Sequence, residues 1–141
     1  MRKRTKAILL SVATLALSCA FIAGYDPRID AGASALQQKV GTFLIDLEQT
    51  AGTPEGEYGR HIGFYDEVRT DISELRDVAS AHKGNDITLQ SLDLIEANVA
   101  KLEKLHAEGI SREEIGIVRS LFDTQFRMLL QLENAKKRKE N

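Results

Sequence analysis

The 141-residue sequence contains one cysteine, Cys19, and two prolines, Pro27 and Pro54. With no second thiol the chain cannot close a disulfide within itself, so its fold has to rest on a packed apolar core. No stretch bounded by turn residues alternates apolar and polar side chains as a half-buried strand does, so a sheet is not expected. Catalytic signatures are missing as well. There is no His-Glu-x-x-His, no glycine-rich phosphate loop and no nucleophile elbow. The length allows one domain with a modest core and excludes a large multidomain enzyme.

The formal net charge is only −2, from 19 Lys and Arg against 21 Asp and Glu, but the charges are unevenly placed. Residues 1–24 hold Arg2, Lys3, Arg4 and Lys6 and no acid, which leaves residues 25–141 with a net −6. That acidic balance argues against a nucleic-acid partner. Behind the four cations, Ala7 to Gly24 is an uncharged, mostly apolar run of 18 residues. A basic start followed by such a run reads as an export signal or membrane anchor, with the positive end in the cytoplasm and everything after Gly24 on the far side.

Three fates are open to residues 1–24. Leu15-Ala16-Leu17-Ser18-Cys19 resembles the lipobox of bacterial lipoproteins, which implies lipid attachment at Cys19; this is the preferred expectation. An uncleaved anchor is the second, since 18 helical residues span about 27 Å. Cleavage after Ala20 is the third. The exported part, opening on Tyr25-Asp26-Pro27, is similar to small exported bacterial proteins of unknown role that begin this way just after their anchor. The resemblance implies location and transfers no activity.

Beyond Gly24 the sequence is punctuated as helices. Asp26-Pro27 supplies an N-cap with proline at the first helical position, where the lost N–H has no intrahelical partner. Ile29, Ala33, Leu36, Val40, Phe43 and Leu47 then repeat at spacings of four and three, one apolar face of a helix over about 27–51. Thr53-Pro54 repeats the device, predicting a helix over 54–82 with Tyr58, His61, Tyr65, Val68, Ile72, Leu75 and Ala79 as its stripe. A third helix, 86–107, carries Leu89, Leu92, Ile95, Val99, Leu102 and His106 or Leu105. Gly109 suits the left-handed residue that closes it, and Ser111 with Glu114 forms a capping box for a fourth helix, 112–138. That helix buries Ile115, Val118, Phe122, Gln125, Leu129 and Leu132.

Such short connections permit only antiparallel neighbours. The expected fold is all-α, an antiparallel up-down-up-down four-helix bundle over 25–141, with a self-associating helical hairpin or coiled coil as the alternative. Leu44, Ile45, Leu94, Ile117, Leu121 and Leu130 are apolar beyond the narrow seams. A bundle's wide buried stripe accounts for many of these, and the remainder suit a partner groove or dimer face.

Topology then sorts the charges. With helix one starting at the membrane and helix four returning to it, the cluster Lys136, Lys137, Arg138 and Lys139 falls on the membrane side. The loops near Gly52 and Gly109 form a distal tip carrying Glu55, Glu57, His61, His106 and Glu108 as candidate partner-facing residues. His61 and His106 raise the question of a metal, but both lie on apolar stripes, and no metal or cofactor is expected. Glu103-Lys104-Leu105-His106 matches one Glu-x-x-His element of di-iron bundles, but the required second copy is missing. The expected function is a membrane-tethered envelope interaction or scaffold protein without catalysis, partnered by the membrane and by another envelope protein. A small-molecule-binding or sensory bundle and a phage spanin-like protein are the alternatives.

Overall fold

A computed structural model describes residues 22–140. They form an all-helical bundle of four helices: α1 (Pro27–Thr50), α2 (Ile62–Ser80), α3 (Asp86–Glu108) and α4 (Arg112–Glu140). Cys19, the proposed lipid attachment point, and the rest of residues 1–21 of the anchor segment lie outside the described residues.

The helix ends follow the caps written in the sequence. The Asp26 carboxylate accepts the backbone N–H of Arg28, and Pro27 opens α1. Gly109, at φ 96°, closes α3 in the left-handed conformation that a side chain disfavours. At the start of α4, the Ser111 N–H donates to Glu114 Oε2 at 2.8 Å and the Glu114 N–H returns a bond to Ser111 Oγ at 3.3 Å. This reciprocal pair satisfies N–H groups that the first helical turn leaves without partners.

Helix α2 departs from expectation. It starts at Ile62 rather than Pro54, preceded by two short 3-10 turns, Pro54–Gly56 and Tyr58–Arg60. The Thr53 side chain does not cap a helix; its hydroxyl donates back to the Thr50 carbonyl at 2.8 Å. Gly56 lies so close to the Thr50 backbone that a Cβ there would collide with its carbonyl. That approach folds the chain over the end of α1. Gly59 and Gly63, which cost helix stability, further disfavour an earlier start.

The stripes turn inward with two shifts: α3 buries Thr88 where Leu89 is expected, and α4 buries Phe126, Glu133 and Lys136 while Val118, Gln125 and Leu132 are only half-buried. Leu36, Val40, Leu44 and Leu47 of α1 meet Tyr65, Val68 and Ile72 of α2, with Leu92, Ile95, Val99 and Leu102 of α3 and Ile115, Phe122, Phe126 and Leu129 of α4 in the same core. Polar pairs on the flanks fix the neighbours. Lys39 reaches Asp71 at 2.6 Å, Arg76 reaches Glu96 at 2.6 Å, and Arg69 reaches Glu103 at 2.6 Å. Arg119, early in α4, reaches Glu48, late in α1, at 2.6 Å. At the other end of that seam the Tyr25 N–H, just before α1, donates to Glu140 in the last residue of α4. Of its two neighbours, helix α4 packs more extensively on α1 than on α3. Among the described residues, no helix is long and apolar enough to cross a membrane.

Candidate functional site

The two loops near Gly52 and Gly109 share one end of the bundle, as expected, and bring His61 and His106 together with ring centroids 5.5 Å apart. His61 is half-buried just before α2, and its Nε2–H donates to the Glu55 carbonyl at 2.8 Å. His106, buried in the last turn of α3, places Nε2 2.8 Å from the Gly56 carbonyl. A carbonyl only accepts, so the proton is on His106 Nε2. Its Nδ1 therefore accepts from the Tyr65 hydroxyl, also at 2.8 Å. Burial pushes the Tyr65 hydroxyl pKa up, so the phenol stays protonated and remains a donor.

Aromatic rings enclose this pair. Phe43 stacks on Phe64 with centroids 3.6 Å apart and meets the His61 ring edge-on at 5.4 Å. Tyr58 lies 5.7 Å from the His106 ring, and its hydroxyl donates to Glu103 Oε1 at 3.0 Å. The Arg69 guanidinium and this hydroxyl hold the Glu103 carboxyl below its ordinary pKa, against the opposing effect of burial. The Glu103-x-x-His106 element is thus split between an ion pair on the flank and a hydrogen-bonded imidazole in the core. Burial depresses the His106 pKa, the Gly56 carbonyl opposes that shift, and His61 adds to it.

The arrangement is a scaffold for a loop. Two imidazoles each hold one carbonyl of the Pro54–Gly56 turn, and Tyr65 orients one of them. Both ring nitrogens of His106 are occupied, which leaves it no lone pair for a metal. Among the described residues, no group of three or more His, Cys, Asp or Glu side chains is placed to hold an ion. A cleft of about 600 Å³ opens beside the turn, walled by Leu47, Pro54, Tyr58, His106 and Ile110 and rimmed by Glu57 and Glu108. Glu55, Glu57 and Glu108 are exposed.

The opposite end revises the reading of the basic cluster. Lys136 is not part of a solvated surface: it is 3% exposed, and its ammonium donates to Asn85 Oδ1, Thr88 Oγ1 and Glu133 Oε1 at 2.8, 2.8 and 2.7 Å. These bonds use all three ammonium donors. Thr88 also donates to Glu133 Oε1 at 2.8 Å, and Asn85 Nδ2 donates to the Ala79 carbonyl at 2.8 Å. Glu133 is fully buried, and its Oε2 has no partner. Lys137, Arg138 and Lys139 remain exposed, and the Lys137 ammonium lies 5.2 Å from the centre of the Tyr25 ring.

Sequence reasoning overlooked Glu133, Thr88 and Asn85, and it placed Tyr65 in the core without its bond to His106. A signal existed. Glu133 lies seven residues beyond Phe126, Lys136 seven beyond Leu129, and Thr88 seven before Ile95, so each continues a buried stripe. Comparison of the chain with known protein families, with curated proteins and with solved structures gave no match.

Proposed function

We propose that this chain is a membrane-tethered protein of the bacterial cell envelope, an antiparallel up-down-up-down four-helix bundle that acts by binding another protein rather than by catalysis. The observation that carries the reading is the contact between Tyr25 and the end of α4. The Tyr25 N–H bonds Glu140 and its ring lies under Lys137, so the apolar run ending at Gly24 enters the bundle beside Lys137, Arg138 and Lys139. A tether and exposed cations at one end suit an anionic lipid surface, where each charge contributes about 1 kcal/mol. Lys136, enclosed by Glu133, Thr88 and Asn85, takes no part in that attraction. The loop scaffolded by His61 and His106 is then at the far end, with the acidic rim of Glu55, Glu57 and Glu108 and its cleft facing away from the membrane. An interior filled by Leu, Ile, Val and aromatic side chains supports recognition on the outside of the bundle.

Fractionation of a bacterial host expressing the full chain tests the tether. The expected result is recovery with membranes and digestion of the bundle by protease added to spheroplasts. The Cys19→Ala variant is expected to lose lipid mass. A chain found in the cytosol and shielded from the protease would overturn the reading.

A further inference from the structure

Five large apolar side chains of α3 and α4 remain exposed: Ile87, Leu94, Ile117, Leu121 and Met128, with Leu94, Ile117 and Met128 each at least 60% accessible. Each immediately precedes an inward-facing position, as Leu94 precedes Ile95 and Met128 precedes Leu129. One residue is a 100° rotation about a helix, so all five lie on the same flank of their helix. The residues that follow an inward position face the other way: Glu96 and Glu103 pair with α2, and Arg119 pairs with α1. The apolar flanks of α3 and α4 therefore face each other across the α3–α4 seam, the least closely packed of the four.

We infer that this seam is a homodimer face, covered by a second copy of the chain related by a two-fold axis parallel to the bundle. The register of the seam makes it self-complementary. Thr88 bonds Glu133 and Lys136, which sets Leu94, six residues after Thr88, level with Met128 on the antiparallel α4. A two-fold axis along the seam then brings Leu94 of each copy to Met128 of the other without a vertical shift, and α3 meets the partner's antiparallel α4. From Ile87 to the level of Leu105 the face is about 27 Å long. Across two helices, each about 10 Å wide, it buries on the order of 500 Å² per copy. The total, about 1,000 Å², reaches the lower limit for a specific interface. The charges on this flank are of both signs, with Lys101 on α3 and Glu114 on α4 each immediately preceding an inward position, so like copies do not repel. The parallel orientation rests on the proposed tether, because it leaves both Ile22 ends on one side; the choice of face does not.

The test uses the full chain, solubilised in mild detergent, with particle mass read by light scattering. The wild-type protein is expected to hold two chains per particle and Leu94→Glu one, with unchanged helical circular dichroism because the position is exposed. A single chain in the wild-type particle, or an intact dimer in Leu94→Glu, would overturn the face. For orientation, differently tagged Leu94→Cys and Met128→Cys chains, both carrying Cys19→Ala, are co-expressed and oxidised. The mixed disulfide is expected to exceed several-fold that formed with a Thr70→Cys control on the exposed side of α2. Equal yields, or adducts to an unrelated protein instead of a second copy, would overturn the arrangement. Fractionation results do not enter either readout, so failure of the tether and failure of the dimer are separately visible.

Discussion

The Tyr65 hydroxyl donates to Nδ1 of His106 at 2.8 Å, between the first turn of α2 and the last turn of α3. The other imidazole nitrogen holds the Gly56 carbonyl, so one phenol on a rigid helix fixes the ring that fixes the tip loop. Tyr65→Phe keeps the ring volume and removes the donor. Leaving a buried acceptor without a partner costs about 1–3 kcal/mol. Urea unfolding is expected to show that loss with an unchanged slope; a loss below about 0.5 kcal/mol would contradict the arrangement.

The same imidazole makes stability depend on pH. Burial, aided by His61, holds the His106 pKa below its ordinary 6.5, although the Gly56 bond works the other way. Below pH 6.5 the unfolded chain therefore binds a proton that the folded chain does not. Stability falls as pH drops from about 6.5 through the depressed native value, and above 6.5 this group contributes no slope. The urea midpoint is expected to be lower at about pH 5.5 than at about pH 7.5, with the difference reduced in His106→Gln. A midpoint that rises on acidification would contradict this sign.

Lys136 and Glu133 form a buried ion pair 2.7 Å long, backed by Thr88 and Asn85. Removing one partner strands the other charge out of water, which costs about 3–5 kcal/mol. Lys136→Met is expected to fall in that range, and Glu133→Gln combined with Lys136→Met to recover more than half of the loss. The comparison is made by denaturant unfolding at neutral pH. An inconsequential Lys136→Met would mean that the ammonium reaches solvent.

The glycines of the α1–α2 connection separate by what surrounds them. Gly56→Ala drives a Cβ into the Thr50 backbone, whereas a Cβ at Gly63, in the first turn of α2, meets open space. Gly63→Ala is expected to raise stability by about 0.5–1 kcal/mol through reduced unfolded-state entropy, and Gly56→Ala to lower it by more than that. Thermal unfolding of the two variants side by side reads both signs.

Much of this fold is legible where local chemistry dictates it. The caps at Asp26, Gly109 and Ser111–Glu114 act through residues two or three positions apart, and the stripe of α1 follows from spacing alone. The start of α2 is not legible in this way. Thr53-Pro54-Glu55 has every local mark of a helix start, and the reason it forms only a turn is a close approach to Thr50. Lys136 reads as one of four clustered cations, and Glu133 goes unnoticed, because nothing local reveals that Thr88 and Asn85, some fifty positions earlier, complete the buried network. The pairing of His61 with His106 follows from topology, but the bonds that occupy their nitrogens depend on the turn that the local reading misplaced.

The claim that the tip is where another protein binds is tested most directly by photo-crosslinking in intact envelopes, with the reactive group at position 57 in place of Glu57. The expected result is one reproducible adduct to an envelope protein other than this chain, lost when Pro54–Gly56 is unseated by Gly56→Ala. No adduct at position 57, or one composed only of further copies of the chain, would contradict it.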